Sequence, residues 1–186
     1  MHRIVAFALM ASLLPLSVAC SGSNNSTNIS SVDWAKGRGD AACHEWQQAY
    51  CELVSKCGGV ALADCGQQYQ GIACNSDTTA ANCATSLTAA SCSAMPAGCG
   101  PTDLADTAPA MAGCNQLYTA ICTHNSNCGS ATATDSCVSQ LQAQNNCSGA
   151  IGLELSFETC LAKIAAASCT TSTQPAECTK VLVNAQ

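Results

Sequence analysis

Charge is scarce in this chain: only 10% of its residues are Asp, Glu, Lys or Arg, against about 25% in an ordinary soluble domain. Six bases stand against twelve acids, for a formal net charge of −6. The bases beyond the first few residues, Lys36, Arg38, Lys56, Lys163 and Lys180, are scattered. No basic stripe can form for phosphates, which excludes a nucleic-acid partner. Aromatics are scarce too, at 4%. Past residue 20 they are Trp34, Trp46, Tyr50, Tyr69, Tyr118 and Phe157, too few to seal a small domain by burial alone.

The short motifs that carry chemistry are missing as well. The closest cysteine pair is Cys51 and Cys57, five residues intervening, whereas zinc, iron–sulfur and thioredoxin-like sites use pairs with two residues intervening so that both sulfurs meet on one tight turn. No pair of histidines has metal-ligand spacing, and beyond the leader there are only His44 and His124. His44 reads as a polar position on a helix, and His124 as a residue near a helix end, where the free carbonyls favour a cation. There is no Gly-x-Ser-x-Gly elbow or glycine-rich phosphate loop, and the acids, among them Asp64, Asp77, Asp103, Asp106, Asp135, Glu154 and Glu158, are dispersed as on a solvated surface. No enzyme class, metal or cofactor is expected. Arg38-Gly39-Asp40 matches the tripeptide read by integrins, but Asp40 reads better as a helix N-cap and Gly39 as a turn residue.

What the chain has in excess is cysteine: 17 in 186 residues, in the range of disulfide scaffolds built for oxidising compartments. Sixteen fall in two runs of eight: Cys43, Cys51, Cys57, Cys65, Cys74, Cys83, Cys92 and Cys99, then Cys114, Cys122, Cys128, Cys137, Cys147, Cys160, Cys169 and Cys178. The first run has gaps of 7, 5, 7, 8, 8, 8 and 6 residues, and the second 7, 5, 8, 9, 12, 8 and 8. Other residues keep the same register: Cys57-Gly58 with Cys128-Gly129, Ala89-Ala90-Ser91-Cys92 with Ala166-Ala167-Ser168-Cys169, and Pro96-Ala97 with Pro175-Ala176. This reads as a unit of about 60 residues written twice. Eight cysteines admit 105 pairings, and spacing does not choose among them; pairing within each unit is the simplest expectation. If Cys83 and Cys92 share a helix they stand about 13.5 Å apart, beyond the roughly 7 Å limit of a bridge, so partners lie on different helices or beyond a turn.

Within each unit the apolar period is helical. Cys43, Trp46, Tyr50, Leu53 and Val54 recur at threes and fours, as do Cys114, Leu117, Tyr118, Ile121 and Cys122, with Gly58-Gly59 and Gly129 as stops. Second helices are expected from Asp64 to about Gly71 and from Asp135 to Gln144, each opening on its acid. Third helices are expected from near Thr78 through Ala90, and from a Ser156 cap through Ser168. The predicted fold is all-α: two tandem disulfide-rich units of about three short helices each, over 41–100 and 112–180, with a proline-bracketed linker at 101–111 and a tail at 181–186. Four native bridges per unit, at about 2–4 kcal/mol each, replace the missing aromatic core.

The N-terminus has the layout of an export signal over 1–19: His2 and Arg3, then the uncharged stretch Ile4 to Leu16, too short to remain as a membrane span. Leu16-Ser17-Val18-Ala19-Cys20 resembles the lipobox of bacterial lipoproteins, although the leucine sits one place earlier than is usual. The resemblance implies cleavage before Cys20 and acylation of that cysteine, and Ser21, where an inner-membrane lipoprotein commonly has Asp, implies delivery to an outer membrane. Parity agrees, because a lipid on Cys20 leaves sixteen cysteines, an even number. Residues 20–40 are then the anchor and a flexible tether, whose Ser21–Ser31 stretch is nearly all polar. Alternatively, Ser17-Val18-Ala19 is an ordinary small-x-small cleavage site that releases a soluble secreted protein.

The body is similar to cysteine-rich predicted lipoproteins of gliding and predatory soil bacteria, which share its Cys-Gly and Pro-x-x-Cys features. The expected function is that of a non-catalytic, lipid-anchored envelope or cell-surface protein. It would hold the membrane through its lipid and a protein partner through its disulfide-stabilised body. A carrier of small apolar ligands is the alternative, on the precedent of helical eight-cysteine lipid-transfer proteins, although their adjacent Cys-Cys and Cys-x-Cys pairs are absent here.

Overall fold

A computed structural model of the chain describes residues 32–170 and 174–185. The expected signal peptide, Cys20 and the polar stretch to residue 31 lie outside them. The described chain is mostly helical, and its long helices form where the apolar period placed them.

Helix α1, Ala41–Lys56, opens on Asp40, whose Oδ1 accepts from the Cys43 amide at 3.0 Å, and buries Cys43, Trp46, Gln47, Ala49, Cys51 and Leu53 along one face. It closes on Gly58 at φ +80, with the Gly58 amide donating to the Ser55 carbonyl and the Gly59 amide to that of Val54. A residue with a Cβ resists that left-handed turn, so glycine ends the helix here. Helix α5, Thr107–Asn127, closes the same way on Gly129 at φ +84, with Ser126 and Asn125 as acceptors.

The other helices are α2 (Leu62–Tyr69), α3 (Asp77–Ala89), the single turn α4 (Pro101–Leu104), α6 (Thr134–Gln144) and α7 (Phe157–Ala166). Three expectations about their starts are corrected. The N-caps of α2 and α6 are Ala61 and Ala133, with no side-chain cap, and Asp64 and Asp135 lie inside the first turn, where their charge still meets the free amides. Helix α3 is capped by Ser76, whose Oγ accepts from the Thr79 amide at 3.3 Å. Ser156 precedes α7 without a side-chain cap bond.

The all-α expectation is corrected as well. Strand β1, Ala150–Leu153, pairs antiparallel with β2, Leu182–Asn184, with an irregularity between Ala150 and Gly152. All four residues of β1 are buried, as suits a short continuous apolar run. The stretch expected as a tail thus supplies a strand, and the one expected as a linker supplies α4 and the start of α5.

Nor are residues 32–40 a tether. Gln70 Nε2 donates to the Asp33 carbonyl at 2.6 Å, and buried Gln47 donates to the Arg38 and Ile72 carbonyls at 3.0 and 2.7 Å. A Cβ on Gly66 would lie within 2.9 Å of both Val32 methyls, so the apolar start of this segment packs directly over α2.

The two halves share a core. One cluster holds Trp46, Leu53, Ile72, Leu87 and Leu104 together with Ile151 of β1 and Val183 of β2. At the seam the Leu153 amide donates to the Gly71 carbonyl at 2.8 Å, and a Cβ on Gly152 would stand 2.5 Å from that same oxygen. Two further clusters, around Phe157 with Leu117 and around Tyr118 with Cys114, complete the second half.

Candidate functional site

All sixteen cysteines of the two runs are described, and they form eight bridges: Cys43–Cys74, Cys51–Cys65, Cys57–Cys92 and Cys83–Cys99, then Cys114–Cys147, Cys122–Cys137, Cys128–Cys169 and Cys160–Cys178. Numbered along each run, both halves pair first with fifth, second with fourth, third with seventh and sixth with eighth. No bridge crosses between the runs. Cys83 lies on α3 and Cys92 beyond its end, so the two do not share a helix, and each pairs elsewhere.

The helix geometry explains the partners. Cys43 and Cys51 lie on the buried face of α1, and reach the segment before α3 and helix α2 respectively. Cys57, the C-cap of α1, clasps the loop after α3. Cys83 on α3 reaches Cys99, whose carbonyl accepts from Trp46 Nε1 at 3.1 Å. Every bridge has a buried cysteine except Cys57–Cys92 and Cys128–Cys169.

The integrin-like tripeptide is not presented as a free loop. Arg38 Nε donates to the Leu153 carbonyl at 2.6 Å and its Nη2 to that of Glu154 at 3.4 Å, while Asp40 caps α1 and Gly39 turns at φ +94. The hydrogen bond from the Cys43 amide, and then the neighbouring Asp77, hold the Asp40 carboxyl below the ordinary carboxylate range. The neighbouring Asp40 carboxyl raises Asp77 in turn. Each charged end of the motif is therefore spent on the protein itself.

Both histidines among the described residues are engaged: His44 Nε2 lies 2.9 Å from the Gly37 carbonyl, and His124 Nε2 lies 3.6 Å from Cys128 Sγ. Among the described residues no cluster of three or more His, Cys, Asp or Glu could hold a metal ion. No described helix is long and apolar enough to cross a membrane. An open groove of about 520 Å³ runs between α1 and α3, and Glu45, Gln48, Glu52, Thr85 and Thr88 line it alongside alanines.

The sequence did not reveal Glu154. Burial beside the seam pushes its carboxyl up to about 7, against the opposing pull of Lys180. Its one legible sign was an acid next to an apolar run. Tyr50, half-buried against Tyr69 with ring centroids 4.9 Å apart, has its phenol pushed upward by partial burial and by that neighbour.

Comparison with protein-family models, curated proteins and solved structures gives no match to this chain.

Proposed function

We propose that this is a lipid-anchored envelope protein whose two tandem disulfide units form a rigid, non-catalytic interaction module at the cell surface. One observation carries the reading: the sixteen cysteines of the body pair among themselves, and the seventeenth, Cys20, has no partner cysteine left in the chain. It stands behind an export-type leader with small residues before it, the position of an acylated cysteine. Eight disulfides fit an extracellular or oxidising setting. The shared pairing order and the matching glycine caps of α1 and α5 support a duplicated unit.

In this reading the polar stretch from Ser21 to Ser31 stands between the lipid and the disulfide-bonded body. Replacing Cys20 with Ser and fractionating cells tests the anchor. The unaltered protein should sediment with membranes and take up labelled fatty acid, and the variant should do neither. An unchanged distribution of the variant would reject lipidation in favour of a released soluble protein.

A further inference from the structure

The two bridges without a buried cysteine are the equivalent ones, third to seventh in each run. Both tie the C-terminal end of a long helix to the loop beyond the third helix of its half. They differ in several neighbours, Lys56 before Cys57 against Asn127 before Cys128 and Val54 against Asn125 among them, and one difference places a side chain against a bridge sulfur. Four residues before the third cysteine, α1 carries Leu53, packed in the core, whereas α5 carries His124 with Nε2 against Cys128 Sγ at 3.6 Å.

We propose that Cys128–Cys169 is a thiol-exchange site, at which a low-molecular-weight thiol from solution attacks and His124 assists the departing sulfur. The attacking thiolate meets exposed Cys169 Sγ. A new bond forms between its sulfur and Cys169, the Cys128–Cys169 bond breaks, and the electron pair leaves on Cys128 Sγ as a thiolate. A protonated imidazole in contact with that atom pairs with the thiolate or hands it the ring proton. A second molecule of the thiol then attacks the mixed disulfide, is itself oxidised to the small disulfide, and leaves Cys169 reduced. Exchange is faster when the leaving thiol is the more acidic, and an imidazolium neighbour makes it so. The half keeps its fold through the step, because Phe157, Cys160 and Ile164 remain in the core and Cys160–Cys178 remains closed.

Timed exposure of the full chain to reduced glutathione, followed by an acid quench, N-ethylmaleimide and peptide mapping, tests this. Exposure alone would open Cys57–Cys92 first, since both its cysteines are exposed and Cys128 is only partly so. The proposal requires Cys128–Cys169 to open first, about three- to tenfold faster, with glutathione on Cys169 and maleimide on Cys128. His124→Gln should remove that lead and leave the rate at Cys57–Cys92 unchanged. Earlier opening of Cys57–Cys92, or glutathione divided equally between Cys128 and Cys169, would overturn the proposal in the unaltered protein, whatever the variant's folding. Unchanged kinetics in a folded His124→Gln protein would overturn it too.

Discussion

Single polar side chains, more than large apolar ones, place the segments of this protein relative to one another. Gln47, fully buried on α1, ties Arg38 and Ile72 to the helix through their carbonyls, and Arg38 reaches on to Leu153 and Glu154. Glu154 bears the cost of that closeness. Its carboxyl titrates near 4.5 when unperturbed and at about 7 in the folded chain, where burial disfavours the charge. Between those values the folded state holds a proton that the unfolded state has released, so stability falls as pH rises through this window. Replacing Glu154 with Gln should flatten the fall: melting temperatures measured from pH 4 to pH 8 should separate from the unaltered protein's as pH rises, with the variant higher at pH 8. A parallel pair of curves would show that the carboxyl is not buried in this way. None of these roles was visible in composition, which counts acids but not their depth.

At the scale of elements, periodicity was enough to find α1, α3, α5 and α7, because three- and four-residue spacing of Cys43, Trp46 and Leu53, or of Phe157, Cys160 and Ile164, leaves little alternative. It was not enough for β1 and β2. Ala150–Leu153 is a four-residue apolar run that helix and strand describe equally well, and its partner begins 29 residues later, at Leu182. Pairings of that separation are set by packing. Asp64 and Asp135 misled for a related reason: an acid stabilises the first turn from several positions, so its presence marks a helix start only to within a turn. The strand pair allows a sharp check. Val183 is buried in the shared cluster, and Asn184 beside it is exposed. Val183→Ala should lower stability by about 2 kcal/mol through lost burial and the cavity left behind, while Asn184→Ala should change it by less than about 0.5 kcal/mol. Denaturant titration distinguishes the two, and equal effects would mean that β2 is not part of the core.

For the whole molecule, cysteine order revealed two halves but not how they join. The repeat register implied separable units with a linker between them; the seam at Gly71, Gly152 and Leu153 and the cluster that includes Ile151 and Val183 bind them into one body. Such contacts come from backbone approach at glycines, and a glycine in sequence does not announce what it lies against. Calorimetry of the oxidised protein should therefore show one unfolding transition, with van't Hoff and calorimetric enthalpies equal. Two resolved transitions would mean that the halves melt independently.

The pairing order has a consequence for biogenesis. In neither run does a native bridge join two neighbouring cysteines: the orders are first–fifth, second–fourth, third–seventh and sixth–eighth. A chain that enters an oxidising space from its N-terminus presents neighbours to one another first, and closing a short loop costs least entropy. The earliest bonds are then weighted toward neighbouring pairs, none of them native, and each such bond must break before its cysteines reach their native partners. Oxidative folding of this chain is consequently a task of disulfide reshuffling, which runs over seconds to hours without help. Refolding of the reduced chain should depend on an isomerase or a thiol buffer far more than on the strength of the oxidant, and equal yields with oxidant alone would show that the native order forms directly.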